Sequence, residues 1–279
     1  MREINATQIT EAVKEMCMEA NYRLSDDMKK QFDICEEKEE SPLGKMVFRQ
    51  LQENLIIAEE EEIPICQDTG MAVVFLSVGQ DVHITGNLTD AVNEGVRQGY
   101  EQGYLRKSVV KDPLERENTK DNTPAVIYYD LVPGDRIEVV VAPKGFGSEN
   151  MSRIFMLKPA DGIEGVKKAI LTAVADAGPN ACPPMVIGVG IGGTFEKCAW
   201  LAKKALTRNL SVRSSIPHIR DLEEELLVKI NDLGIGPGGL GGRITAMAVN
   251  IETYPTHIAG LPVAVNICCH VNRHSSRII

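Results

Sequence analysis

Apolar residues recur at helical spacing through the first sixty positions. Ile9, Val13, Met16, Cys17 and Ala20 fall at i, i+4, i+7, i+8 and i+11, and a second set runs through Met46, Leu51, Leu55 and Ile56 into the acidic stretch 59–62. This predicts helix across 6–60, a helical N-terminal lobe of about 1–62. At Pro64 the pattern changes: 63–70 reads as a loop and 71–78 as a β-branched, aromatic strand. Helical spacing returns over 90–105, and strands are predicted at 125–130 and 136–142 around the turn Val132-Pro133-Gly134-Asp135. The second half alternates in the same way. Helices are predicted over 162–177, 194–207 and 215–233, and strands over 185–189, 244–251 and 262–268, with glycine-rich loops at 144–150 and 234–242. The pattern predicts a mixed α/β (α+β) fold: one domain over 1–279, its helical lobe followed by an α/β part at about 63–279.

Composition narrows the function classes. The chain is 43% hydrophobic and 25% charged, and 39 acidic against 30 basic side chains leave a net charge of -9. That balance argues against nucleic acid or an anionic membrane as partner, since both demand a basic face. The longest apolar runs, 184–193 and 261–269, are broken by Gly, Pro or Asn and fall well short of the ~20 residues that span a bilayer. The first twenty residues carry no signal- or transit-peptide pattern, so the expected compartment is the cytoplasm.

Seven cysteines in such a chain read as reduced thiols rather than a disulfide framework. Cys17 and Cys198 lie on apolar helix faces and read as small buried hydrophobes. Cys35 sits beside Glu36 and Glu37, where carboxylates would raise a thiol's pKa. Cys66, Cys182 and the pair Cys268-Cys269 differ, because each stands at a loop or strand end, the first two close to Gly or Pro. There is no CxxC spacing, which disfavours a zinc ribbon or a ferredoxin. Two readings stay open: incidental loop cysteines, or three separate thiolates holding an iron-sulfur cubane. The cubane would leave one iron open as a Lewis acid suited to dehydration.

Five blocks in order carry a resemblance. They are Ile65-Cys66-Gln67-Asp68-Thr69-Gly70; Tyr104-Leu105-Arg106-Lys107-Ser108 with Asp112-Pro113; Gly147-Ser148-Glu149-Asn150-Met151-Ser152-Arg153; Ala181-Cys182-Pro183-Pro184 with the glycines of 188–193; and Ile235-Gly236-Pro237 with Pro262-Val263-Ala264-Val265-Asn266 and Cys269-His270. Together they resemble the α-subunit, or N-terminal domain, of the class I iron-sulfur fumarate hydratases and the related L(+)-tartrate dehydratases. The resemblance implies a 4Fe-4S cluster on Cys66, Cys182 and Cys269, in a cluster-bearing cleft. Cys268 is the rival for the third ligand, but adjacent strand residues point to opposite faces, so one of the two should reach the cluster. It also implies substrate contacts at Gln67, Asp68, Arg106 and Gly147, with Asp68 the catalytic residue that moves or orients a proton and Arg106 a planar fork for a carboxylate. Each has a plainer reading: Asp68 as a turn cap, Arg106 as an answer to a helix dipole, Gln67 as a loop hydrogen-bonder. His270 and His274 read as supports beside a ligand rather than as acid-base groups.

The resemblance further implies a separate β-subunit that completes the site, a small dicarboxylate substrate, and a dimer of αβ units. The chain ends ten residues after Cys269, which is why the second part is expected on another polypeptide. The leading expectation is fumarate hydratase, as the commoner activity, with L(+)-tartrate dehydratase as the alternative and a cluster-based redox or oxygen sensor as a remote one. A nicotinamide dehydrogenase is also weighed, because 188–193 satisfies GxGxxG between strand and helix. It fails on the ribose-binding acid, since no Asp or Glu lies between Lys197 and Arg220.

Overall fold

A computed structural model describes residues 1–279. In chain order the elements are β1 (Arg2–Asn5), α1 (Ala6–Tyr22), α2 (Asp26–Lys38), α3 (Pro42–Glu60), β2 (Met71–Gly79), β3 (Val82–Thr85), α4 (Leu88–Gln102), β4 (Val126–Val132) and β5 (Ile137–Lys144). There follow the single turn α5 (Phe146–Glu149), β6 (Arg153–Leu157), α6 (Gly162–Ala177), β7 (Met185–Gly192), α7 (Phe195–Ala205), α8 (Pro217–Asn231), β8 (Ala246–Tyr254), β9 (Leu261–Cys268) and β10 (Ser275–Ile278). The fold is α+β. The helix expected across 6–60 is three helices, broken at 23–25 and 39–41. Four short strands, β1, β3, β6 and β10, add to those the apolar pattern predicts.

The chain forms two compact units and crosses between them several times. The first comprises Met1–Ser25, Asn54–Phe146 and Arg273–Ile279, and the second Asp26–Glu53 and Gly147–Asn272. In the first unit a four-stranded sheet runs in the order β10-β5-β2-β4, with β2 parallel to β4 and the other pairings antiparallel. One face is covered by α1 and α4: Ile9, Val13 and Met16 of α1 and Val92, Val96 and Tyr100 of α4 join Ala72, Val74, Leu76, Val139 and Val141 in a closed core. The start of α1 is fixed by a capping box, in which Asn5 accepts from the Thr7 amide at 2.9 Å and Gln8 accepts from the Asn5 amide at 3.3 Å.

The second unit is built on a sheet of order β6-β9-β7-β8, with β7 parallel to β8 and antiparallel to β9. Both faces are covered, so β7 is apolar along its whole length rather than alternating. Met185, Ile187 and Val189 face α6 and α8, against Ile170, Val174, Leu222 and Leu226. The intervening Gly188 and Gly190 face α7, where an added Cβ would sit 2.2 Å from the Ala202 oxygen and 2.0 Å from the Cys198 oxygen. The GxGxxG pattern is therefore a close-packing device. Its glycines let a helix backbone rest on a strand backbone.

Candidate active site

In the first unit the loop after α3 carries Cys66, Gln67 and Asp68 into β2. Cys66 and Asp68 are half-buried and Gln67 is exposed. The turn is held from all sides by side-chain and main-chain donors. Asp68 accepts the Gly70 amide on Oδ1 at 3.0 Å and the Phe146 amide on Oδ2 at 2.9 Å, so its carboxylate joins this turn to the glycine loop beyond β5. Each carboxylate oxygen keeps a second lone pair for another donor. Tyr100 is fully buried, and burial pushes its phenol well above the ordinary tyrosine range, so its hydroxyl stays protonated and donates to the Thr69 and Gly70 oxygens at 2.9 and 3.0 Å. Asn122 donates to the Gly70 oxygen at 3.1 Å. Gly70 itself has φ +78°, and a Cβ there would lie 2.7 to 2.8 Å from the Lys144 backbone, so a side chain is excluded.

Arg106 lies four residues beyond α4. The helix ends at Gly103, and Tyr104 takes a left-handed φ of 50° that turns the chain away. The Arg106 amide then donates to Thr69 Oγ1 at 2.9 Å, which ties Arg106 to the Cys66–Gly70 loop. Its side chain is exposed and makes no ion pair or hydrogen bond within the chain. The first unit thus gathers Gln67, Asp68 and Arg106 around one loop and leaves one guanidinium available to an anion.

In the second unit Cys182 ends a 3-10 turn with φ 52°, and its thiol-bearing residue is exposed. Cys268 is the last residue of β9 and is buried, whereas Cys269 lies just past the strand and is half-exposed. His270 joins the two places: its amide donates to the Cys182 oxygen at 3.3 Å and its Nδ1 lies 3.0 Å from the same oxygen, which makes Nδ1 the protonated nitrogen. The histidine thus braces the Cys182 turn. Gly147 is the second residue of the turn α5 and is exposed, and a Cβ there would meet nothing closer than 3.9 Å, so packing does not demand glycine. Below it, buried Asn266 donates to Glu149 Oε2 at 2.8 Å and to Ser152 Oγ at 2.7 Å, and Glu149 also pairs with Lys203.

Exposure sorts the seven thiols. Cys17, Cys35, Cys198 and Cys268 are buried; Cys66, Cys182 and Cys269 are the ones solvent reaches. Burial pushes Cys17 up to about 12 and Cys35 up to about 11, and raises Cys198 as well. For Cys35 burial, not the neighbouring Glu36 and Glu37, is the main cause. A thiolate ligand must be deprotonated and within reach, so the accessible three fit a thiolate-bound iron-sulfur group by donor chemistry. Within either unit, no group of three or more His, Cys, Asp or Glu side chains is gathered as a metal site.

A family model described as fumarate hydratase (fumerase) matches residues 10–277. The chain belongs to the fumarate hydratase family. Among its relatives, a Methanocaldococcus jannaschii protein is 43% identical over 275 residues, covering 96% of each chain, and provisionally carries the name L(+)-tartrate dehydratase subunit alpha. The Escherichia coli O157:H7 and K12 proteins named L(+)-tartrate dehydratase subunit alpha are 32% and 31% identical over 276 residues, covering 98% of this chain and 91% of theirs. Membership in the fumarate hydratase family makes this a hydro-lyase chain. No helix in it is long and apolar enough to cross a membrane.

Proposed function

We propose that this chain is the cluster-bearing α-subunit of an L(+)-tartrate dehydratase that works with a separate β-subunit. The observation that carries the reading is near-complete coverage by relatives named as that subunit. This reverses the preference that commonness alone gives to fumarate. The fumarate reading is kept as the second one, because the family's own description is fumarate hydratase.

Cys66, Cys182 and Cys269 would hold a 4Fe-4S cluster, the three accessible thiols of the chain. When bound, such a cluster supplies an open iron that acts as a Lewis acid toward a hydroxyl. Arg106, exposed and without an intramolecular partner, offers parallel N–H donors to one substrate carboxylate. Gln67, exposed on the loop to which the Arg106 backbone is tied, supplies an amide donor and acceptor for a carboxylate or hydroxyl. Asp68 is pre-oriented by the Gly70 and Phe146 amides, so Oδ1 and Oδ2 are held in place to accept or relay a proton without reorganisation. Removal of water from 2,3-dihydroxybutanedioate leaves an enol that tautomerises to oxaloacetate.

The test is to co-produce the chain with its β-subunit, purify the complex without oxygen, and compare kcat/KM for L(+)-tartrate and fumarate. A site that hydrogen-bonds the second hydroxyl leaves buried groups unpaired with a substrate lacking it, so the preference for tartrate is expected to exceed about 100-fold. The reverse preference would select the fumarate reading. Turnover of neither, by a complex carrying its cluster, would reject both and favour a sensor.

A further inference from the structure

Arg273 opens the last segment of the first unit and is 5% exposed. No carboxylate of the chain pairs with it. Its Nη2 donates to the main-chain oxygen of Asp68, and its Nε, shielded from solvent, has no acceptor. A guanidinium cannot shed its proton to escape burial, so its desolvation is offset only by partners. One neutral carbonyl is a weak offset for a full charge, and a buried cation is ordinarily met by an anion.

The neighbouring carbonyls show what holding the loop requires. Thr69 and Gly70 present theirs to the Tyr100 hydroxyl, and Gly70 also to the Asn122 amide. Those donors are neutral, and they suffice. At Asp68 the donor is charged and is left with an unmatched N–H. The excess over mere loop anchoring is positive charge, held against the main-chain oxygen of Asp68, which follows Cys66 by two residues.

We propose that Arg273 is a positioning residue for the Cys66–Asp68 turn whose buried charge offsets the negative charge Cys66 brings as a thiolate ligand. The proposal rests on the cofactor reading above. It separates two roles of one side chain: a hydrogen bond to the Asp68 oxygen, which a glutamine can mimic, and a fixed charge, which it cannot. Reduction potentials of iron-sulfur clusters follow local net charge, so loss of the charge makes the cluster harder to reduce.

The experiment uses the complex of this chain with its β-subunit, reconstituted anaerobically, as wild type, Arg273→Gln, Arg273→Lys and Tyr100→Phe. The readouts are cluster iron per chain, the midpoint potential by a titration followed by electron paramagnetic resonance, and the rate of iron loss to a chelator. Arg273→Gln is expected to lower the potential and to lose iron roughly tenfold faster, as for removal of one charged hydrogen-bonding group. Arg273→Lys restores the wild-type potential, and Tyr100→Phe, which removes a neutral loop anchor, leaves it in place. A glutamine variant with wild-type potential and iron loss overturns the proposal while the cofactor reading stands. So does a lysine variant shifted away from wild type in potential, which also decides the matter where the glutamine variant does not fold. A wild type that takes up no cluster removes the cofactor reading and this proposal together.

Discussion

Replacing Glu39 by Gln tests whether the second unit is held as described. Glu39 is 1% exposed, at the junction of α2 and α3. Its Oε1 accepts the amides of Glu40 at 2.9 Å, Ser41 at 2.8 Å and Arg243 at 2.8 Å, and its Oε2 accepts that of Ile244 at 2.7 Å. The carboxylate thus ties the helix junction to the segment leading into β8. Gly44 and Gly242 leave no slack, since a Cβ on either would lie 2.8 or 2.6 Å from the Glu39 side chain. A glutamine keeps one acceptor and turns an NH2 toward a fourth N–H. One charge-assisted bond is lost and a buried donor is left unmatched, which costs about 3 kcal/mol. Against a usual stability of about 5–15 kcal/mol, that is a large displacement.

The pH dependence follows from the same contacts. Burial raises the Glu39 pKa, but the amides of Arg243, Ile244, Ser41 and Glu40 outweigh it and hold the carboxyl below its usual range. Its stabilisation is therefore complete above the unfolded carboxylate value, about 4.3, and is lost as pH falls through the lower folded value. Urea denaturation followed by circular dichroism at pH 7 and at successively lower pH reads both effects. The wild-type midpoint should exceed that of Glu39→Gln at pH 7, and the gap should narrow in acid. Equal midpoints at pH 7, or a gap indifferent to acid, would refute the reasoning.

Gly190→Ala places a methyl group where 2.0 Å separates it from the Cys198 oxygen. It should cost about 3 kcal/mol or prevent soluble expression, seen as a lowered melting temperature. Arg106→Lys keeps the charge but loses the fork, so KM for the dicarboxylate should rise about tenfold in the assembled enzyme, with little change in melting temperature. In the chain without cofactor, a maleimide should label Cys66, Cys182 and Cys269 within the time that leaves Cys17, Cys35, Cys198 and Cys268 unlabelled, as read by peptide mass spectrometry.

Much of the fold is legible where the apolar pattern is long. The predicted helix over 162–177 coincides with α6, and the strands leading from Met71 and Met185 start where β2 and β7 start. The short strands are not legible, because four residues such as Ser275–Ile278 carry no period. Their pairing is decided far away, as in Ser275 opposite Val141. The same applies to the crossings between units: helical spacing through 6–60 does not say that α1 and α2 fall in different units. At the candidate site Cys66 and Cys182 stand out by their Gly and Pro surroundings, whereas Cys268 and Cys269 do so only by ending a predicted strand, and the structure separates Cys269 from buried Cys268. Arg273 gives no local signal, since its partner at Asp68 is 205 positions away.

The measurement that bears most directly on the central claim is cluster iron and acid-labile sulfide per chain after anaerobic reconstitution with the β-subunit, for wild type and for serine at Cys66, Cys182, Cys268 and Cys269 in turn. The account predicts about four of each per wild-type chain, a marked loss in Cys66→Ser, Cys182→Ser and Cys269→Ser, and wild-type loading in Cys268→Ser. Full loading in any of the first three, or none in the wild type, would contradict it.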